Sequence, residues 1–101
     1  MKEKLKASLL VNNISIDLND YSEQFLANTV MGAVSSLKGA EDIRNLELYL
    51  EQGNVRVTAD GNELSLTPFP NDIIANTVIG LVSSLKGVGK IDTLRVDVNA
   101  R

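Results

Sequence analysis

Apolar residues alternate with polar ones near the start of the chain, as Ala7, Leu9 and Val11 and then Ile14, Ile16 and Leu18. A period of two is the signature of a strand with one buried face. Asn12-Asn13 between the two runs suits a two-residue type I′ turn, because asparagine tolerates positive φ. That turn sets Val11 opposite Ile14 and Leu9 opposite Ile16, which brings the apolar set onto one face. The alternation returns as Val55, Val57 and Ala59, then Leu64 and Leu66, around Asp60-Gly61, a strong hairpin signal. Between the two hairpins Leu46, Leu48 and Leu50 alternate up to Gly53-Asn54. A turn at that pair predicts Leu50 opposite Val57, with the third strand folding straight back into the fourth.

Elsewhere the period lengthens to that of a helix. Leu26, Val30, Ala33, Val34 and Leu37 form one stripe with Ala27 and Met31 at its edge, and Ile74, Val78, Leu81, Val82 and Leu85 form another. Both stripes are expected to pack on the sheet. Asp20–Ser22 and Asn71–Asp72 are the expected N-caps, with Pro68-Phe69-Pro70 barring an earlier start of the second helix. Each helix is expected to end at Leu-Lys-Gly, placing Lys38 and Lys86 at the negative end of the dipole and Gly39 and Gly87 in the left-handed C′ position.

The two helical segments are nearly the same sequence. Ala27–Gly39 reads ANTVMGAVSSLKG and Ala75–Gly87 reads ANTVIGLVSSLKG, with eleven of thirteen positions identical. Extended without a gap at the same 48-residue offset, the flanks keep only three identities in thirty-two positions, Leu18 with Leu66, Ile43 with Ile91 and Leu46 with Leu94. The expected fold is therefore α+β, a single domain over 1–101 built by internal duplication of a hairpin, helix, strand (ββαβ) unit. Repeat 1 covers approximately 6–52 and repeat 2 approximately 53–101, giving six strands and two helices related by a pseudo-twofold. If the third and fourth strands form a tight hairpin, the fourth is expected to run parallel to the first, with the axis lying along the strands. That favours a split or barrel-like sheet over a flat one with its axis perpendicular.

With 44% hydrophobic and 23% charged residues the composition is that of a globular chain, and a net charge of −3 speaks against nucleic acid or an anionic membrane as the main partner. The apolar run Ala7–Val11 is too short for a signal h-region, and no segment approaches transmembrane length, so a soluble cytoplasmic protein is expected. There is neither cysteine nor histidine, which removes disulfides, thiolate metal sites and the usual general base near neutral pH. No cofactor or metal is expected. Gly87-Val88-Gly89-Lys90 lacks phosphate-loop spacing and follows a helix, where the dipole repels anions. Ser35-Ser36 and Ser83-Ser84 have no histidine to activate them. Asp17, Glu47, Glu51, Asp92 and Asp97 fall on outward positions, with Tyr49 alone among them as an aromatic. No enzyme is expected.

One surface stands apart. Opposite the apolar stripes lie Asn28, Thr29, Gly32, Ser35 and Ser36 with Phe25, repeated as Asn76, Thr77, Gly80, Ser83 and Ser84 with Ile73. No charge occurs between Glu23 and Lys38, nor between Asp72 and Lys86, whereas a solvated helix face normally carries Glu, Lys and Arg. The bland account is a neutral face left by duplication; the sharper one is a contact face whose small side chains admit another helix. The function expected is a non-catalytic interaction or assembly module acting on itself or on another protein through these faces or a strand edge. The alternative is a small-molecule-binding protein or minor enzyme with a site at the pseudo-twofold axis, where the duplicated Asn and Thr side chains would converge.

Overall fold

The computed structural model describes residues 5–37 and 42–100. In chain order the elements are β1 (Leu5–Val11), β2 (Ile14–Ser15), α1 (Asp20–Ser35), β3 (Asn45–Glu51), β4 (Asn54–Ala59), β5 (Asn62–Leu64), α2 (Pro68–Ser83) and β6 (Thr93–Ala100). The result is an α+β fold, two helices on a six-stranded antiparallel sheet of order β2-β1-β6-β3-β4-β5.

Two-residue turns set the hairpins. Asn12 and Asn13 sit at φ 52° and 66°, pairing Val11 with Ile14, and the Ile16 N–H donates to Leu9 C=O at 3.0 Å. Asp60 and Gly61 repeat the geometry at φ 50° and 85°. The third turn is one residue earlier than the sequence pattern suggests. It uses Gln52-Gly53 at φ 50° and 79°, so Leu50 faces Val55 and Leu48 faces Val57. Glycine takes the second, more positive φ in both of these turns, which a Gly53-Asn54 turn would have reversed.

The strand order overturns the expected directions. β6 lies between β1 and β3, antiparallel to both, so β1 and β3 run the same way and β4 runs opposite to β1, not parallel to it. The sheet is open, with β2 and β5 at its edges. The cause is that β3 pairs only with β4 and β6, and never with the hairpin that precedes it in sequence.

Apolar side chains form rows across the sheet. Leu9, Val96, Leu48, Val57 and Leu64 are successive cross-strand partners, flanked by the rows Val11, Leu94, Leu50, Val55 and Ala7, Val98, Leu46, Ala59. Leu26, Ala27, Val30 and Val34 of α1 and Ile74, Ala75, Val78 and Val82 of α2 are buried in the same core cluster, and no polar side chain among the described residues is buried with them. Each fully buried leucine or valine contributes roughly 1.5–3 kcal/mol relative to exposure.

The helix ends also differ from expectation. Asn19, not Asp20–Ser22, caps α1: its Oδ1 accepts from Ser22 N–H at 2.8 Å, while Ser22 Oγ accepts from Asn19 N–H at 3.0 Å. Thr67 is the N-cap residue of α2, so Pro68 and Pro70 lie inside its first turn. Proline is harmless there, because the first N–H groups of a helix have no intrahelical acceptor. At the other end Ser36 and Ser84 are the C-caps. Their hydroxyls donate back to Gly32 C=O (2.9 Å) and Gly80 C=O (3.1 Å), an alternative acceptor use that accompanies termination. Lys86 therefore lies beyond the last turn, and Gly87 follows at φ 85°; Lys38 and Gly39 lie outside the described residues. Among the described residues no helix is long and apolar enough to cross a membrane.

Candidate interaction surface on the helix layer

Side chains at the start of each helix anchor it to the sheet. Because β2 and β5 are short, the outer edges of β1 and β4 are left partly unpaired. In the first case Glu23 Oε2 accepts from Ala7 N–H at 2.9 Å and Gln24 Nε2 donates to Leu5 C=O at 2.6 Å. In the second, Asn71 alone performs both tasks, accepting from Val55 N–H and donating to Gly53 C=O, each at 2.8 Å. Turn residues anchor the strands that follow the helices. Asn12 Oδ1 accepts from Asp92 and Thr93 N–H at 2.7 and 3.0 Å, and its Nδ2 donates to Lys90 C=O at 2.8 Å. Asp60 Oδ1 does the equivalent for Arg44 and Asn45 N–H at 3.0 and 2.7 Å.

The helices so positioned run antiparallel and leave two grooves between them. One, of about 290 Å³, joins Tyr21, Ser22 and Phe25 at the start of α1 to Leu81, Ser84 and Leu85 at the end of α2. The other, of about 310 Å³, joins Ala33, Ser36 and Leu37 to Phe69, Pro70 and Ile73, with Ile74 and Thr77. Tyr21 and Phe25 stack at 5.9 Å between ring centroids, tilted by 52°. Of the large apolar side chains exposed among the described residues, Tyr21 (75%), Phe69 (74%), Ile73 (51%) and Phe25 (49%) all lie on this layer, and only Ile14 lies elsewhere.

Of the residues singled out from sequence, Asn28, Gly32, Ser35, Ser36, Asn76, Thr77, Gly80, Ser83 and Ser84 are exposed and Thr29 is half-buried. Gly32 and Gly80 admit no close helix approach within the chain: a Cβ added at either would meet nothing within 4 Å. Ser36 and Thr77 reach the second groove and Ser84 the first, while Asn28 and Asn76 line neither. The sequence reading missed Tyr21 and Phe69, the two most exposed rings. Their signal was present, since they occupy equivalent places one turn before Phe25 and Ile73, but setting the helix starts too late left them outside the helices.

The opposite face of the sheet is polar. Tyr49 stands between Arg56 and Arg95 as cross-strand partners. Arg95 pairs with Asp97 at 3.3 Å and Glu47 at 4.0 Å, and Arg56 with Glu63 at 3.8 Å. These exposed pairs neutralise each other and contribute little individually. No three carboxylates among the described residues gather as a metal cage requires. Comparison of the chain with models of known families, with curated proteins and with solved structures yields no match, so its function has to be argued from the surface its own residues build.

Proposed function

We propose that the chain is a small non-catalytic assembly module that works through the outer surface of its helix layer. One observation carries this: a layer without charge along the middle of both helices holds Tyr21, Phe25, Phe69 and Ile73 exposed around two apolar grooves. Exposed rings and aliphatic side chains gathered around apolar grooves mark interaction sites on soluble proteins. Strand addition at an edge fits less well, because β2 and β5 are short and helix side chains occupy the free groups of β1 and β4. A polar ligand site at the centre of the layer lacks convergent groups, since Asn28 and Asn76 line neither groove.

The layer is best understood as two copies of one ββαβ unit about a pseudo-twofold perpendicular to the sheet. In support, α1 and α2 start at 20 and 68 and end at 35 and 83, a constant offset of 48. The central pairing sets Leu48 opposite Val96, residues separated by the same offset. Six residues of each groove correspond in the same way.

The test is solution mass by light scattering over about a hundredfold concentration range, together with thermal stability, for the native chain and a Gly32→Asp/Gly80→Asp variant. Both positions are open to solvent within the chain, so the variant is expected to stay folded. Loss of assembly, or of concentration-dependent stability, supports the proposal. A variant identical to the native chain in both mass and stability sinks it.

A further inference from the structure

We infer that the occupant of the helix layer is a second copy of this chain, docked face to face so that Tyr21 and Phe69 of each copy enter the grooves of the other. The inference rests on the helix layer being an interaction surface, and adds the partner and the contact. Three observations lead to it.

The first is a match of number and size. Each chain carries two grooves of about 290 and 310 Å³ and, at their rims, two rings that are 75% and 74% exposed. Pockets for drug-sized ligands begin near 300 Å³ and bury most of the ligand, so these open grooves lie at the lower end of that range and have room for a single side chain. With two projections and two receptors on the same surface, the layer can be its own complement, as a closed twofold interface requires.

The second is charge. The helix faces are uncharged between Glu23 and Lys38 and between Asp72 and Lys86, and Glu23 is held at the β1 edge by Ala7 N–H. A neutral surface offers no counter-charge to select an acidic or basic partner. Along those stretches it meets its own image without like-charge repulsion, while exposed Asp20 beside Tyr21 and exposed Asp72 beside Ile73 mark the charged ends of the face.

The third is area. The Cα framework measures 35 × 35 × 19 Å, a disc two layers thick whose helix side is one broad face. Two 16-residue helices side by side present roughly 24 × 20 Å in projection, and side-chain relief enlarges the accessible area beyond that. Tyr21 and Phe69 from two copies, each already about a quarter covered in the single chain, would bury about 450–750 Å², about a third to a half of a standard interface of about 1,600 Å².

The experiment measures the dissociation constant of the full chain by light scattering and sedimentation, with circular dichroism to confirm folding. The native chain is expected to form a dimer and no larger species. Tyr21→Ser/Phe69→Ser is expected to weaken it at least about thirtyfold, the effect of losing a hot-spot aromatic. Tyr21→Phe, which keeps the ring, and Tyr49→Ser on the far side of the sheet are expected to leave it unchanged. Both serine positions are exposed in the single chain, so that variant keeps its core. A monomeric native chain overturns self-docking, and if Gly32→Asp/Gly80→Asp also leaves its mass and stability unchanged, the reading of the layer falls with it. A dimer broken by Gly32→Asp/Gly80→Asp but not by Tyr21→Ser/Phe69→Ser overturns the groove contact while sparing the layer. A dimer indifferent to both variants overturns the inference together with the reading it rests on.

Discussion

At the residue scale, what a glycine does here depends on its φ. Gly32 and Gly80 lie in helices with open space around them, and glycine in a helix interior costs about 1 kcal/mol relative to alanine. Under dilute, monomeric conditions Gly32→Ala and Gly80→Ala should each stabilise the chain by about 0.5–1 kcal/mol, measured by urea denaturation. Gly53 sits at φ 79° with equally open space, yet Gly53→Ala should destabilise by about 1–2 kcal/mol, because there the penalty is conformational. Asn12 combines two roles, a left-handed backbone and a side chain that ties the turn to residues 90–93. The first role was legible in the sequence, since turn chemistry is local. The second was not, as its partners lie some eighty residues away.

At the scale of elements, the buried positions were well foreseen and their limits were not. The stripes Leu26, Val30, Val34 and Ile74, Val78, Val82 are buried as their spacing implies, because a period of 3.6 aims side chains wherever the helix starts. Its ends depend on capping, where Pro68-Phe69-Pro70 can be taken for a barrier or for a first turn. The same stretch supplies the cover of the β4 edge through Asn71. Asn71→Ala removes partners from Val55 N–H and Gly53 C=O at once, and a loss of about 1–2 kcal/mol by urea denaturation is expected, moderated by the access of water to that edge. Glu23→Gln, which keeps an acceptor for Ala7 N–H, should change stability little. The candidate surface was half legible for the same reason: its neutral composition could be counted along the chain, but the grooves exist only once α1 and α2 lie antiparallel.

At the scale of the whole molecule, strand order was the part the sequence withheld. Alternation tells which face of a strand is buried and nothing about its neighbours, and here the partners of β3 are β4 and β6. Neither half, taken as hairpin, helix and strand, has its third strand beside its own hairpin. Unfolding should therefore be a single cooperative transition, with slowly exchanging amides of β1, β3, β4 and β6 reporting one common free energy; separate values for the two halves would contradict the topology. Leu48→Ala, in the central row, should cost about 2–5 kcal/mol. The position of β6 has a further consequence for the chain as it is made. A ribosome releases β1 and β3 long before the strand that belongs between them, so the nascent polypeptide holds two bare strand edges around an empty slot. Productive folding must wait for Thr93–Ala100, and in that interval the chain depends on solubility or on a chaperone to keep those edges from other partners.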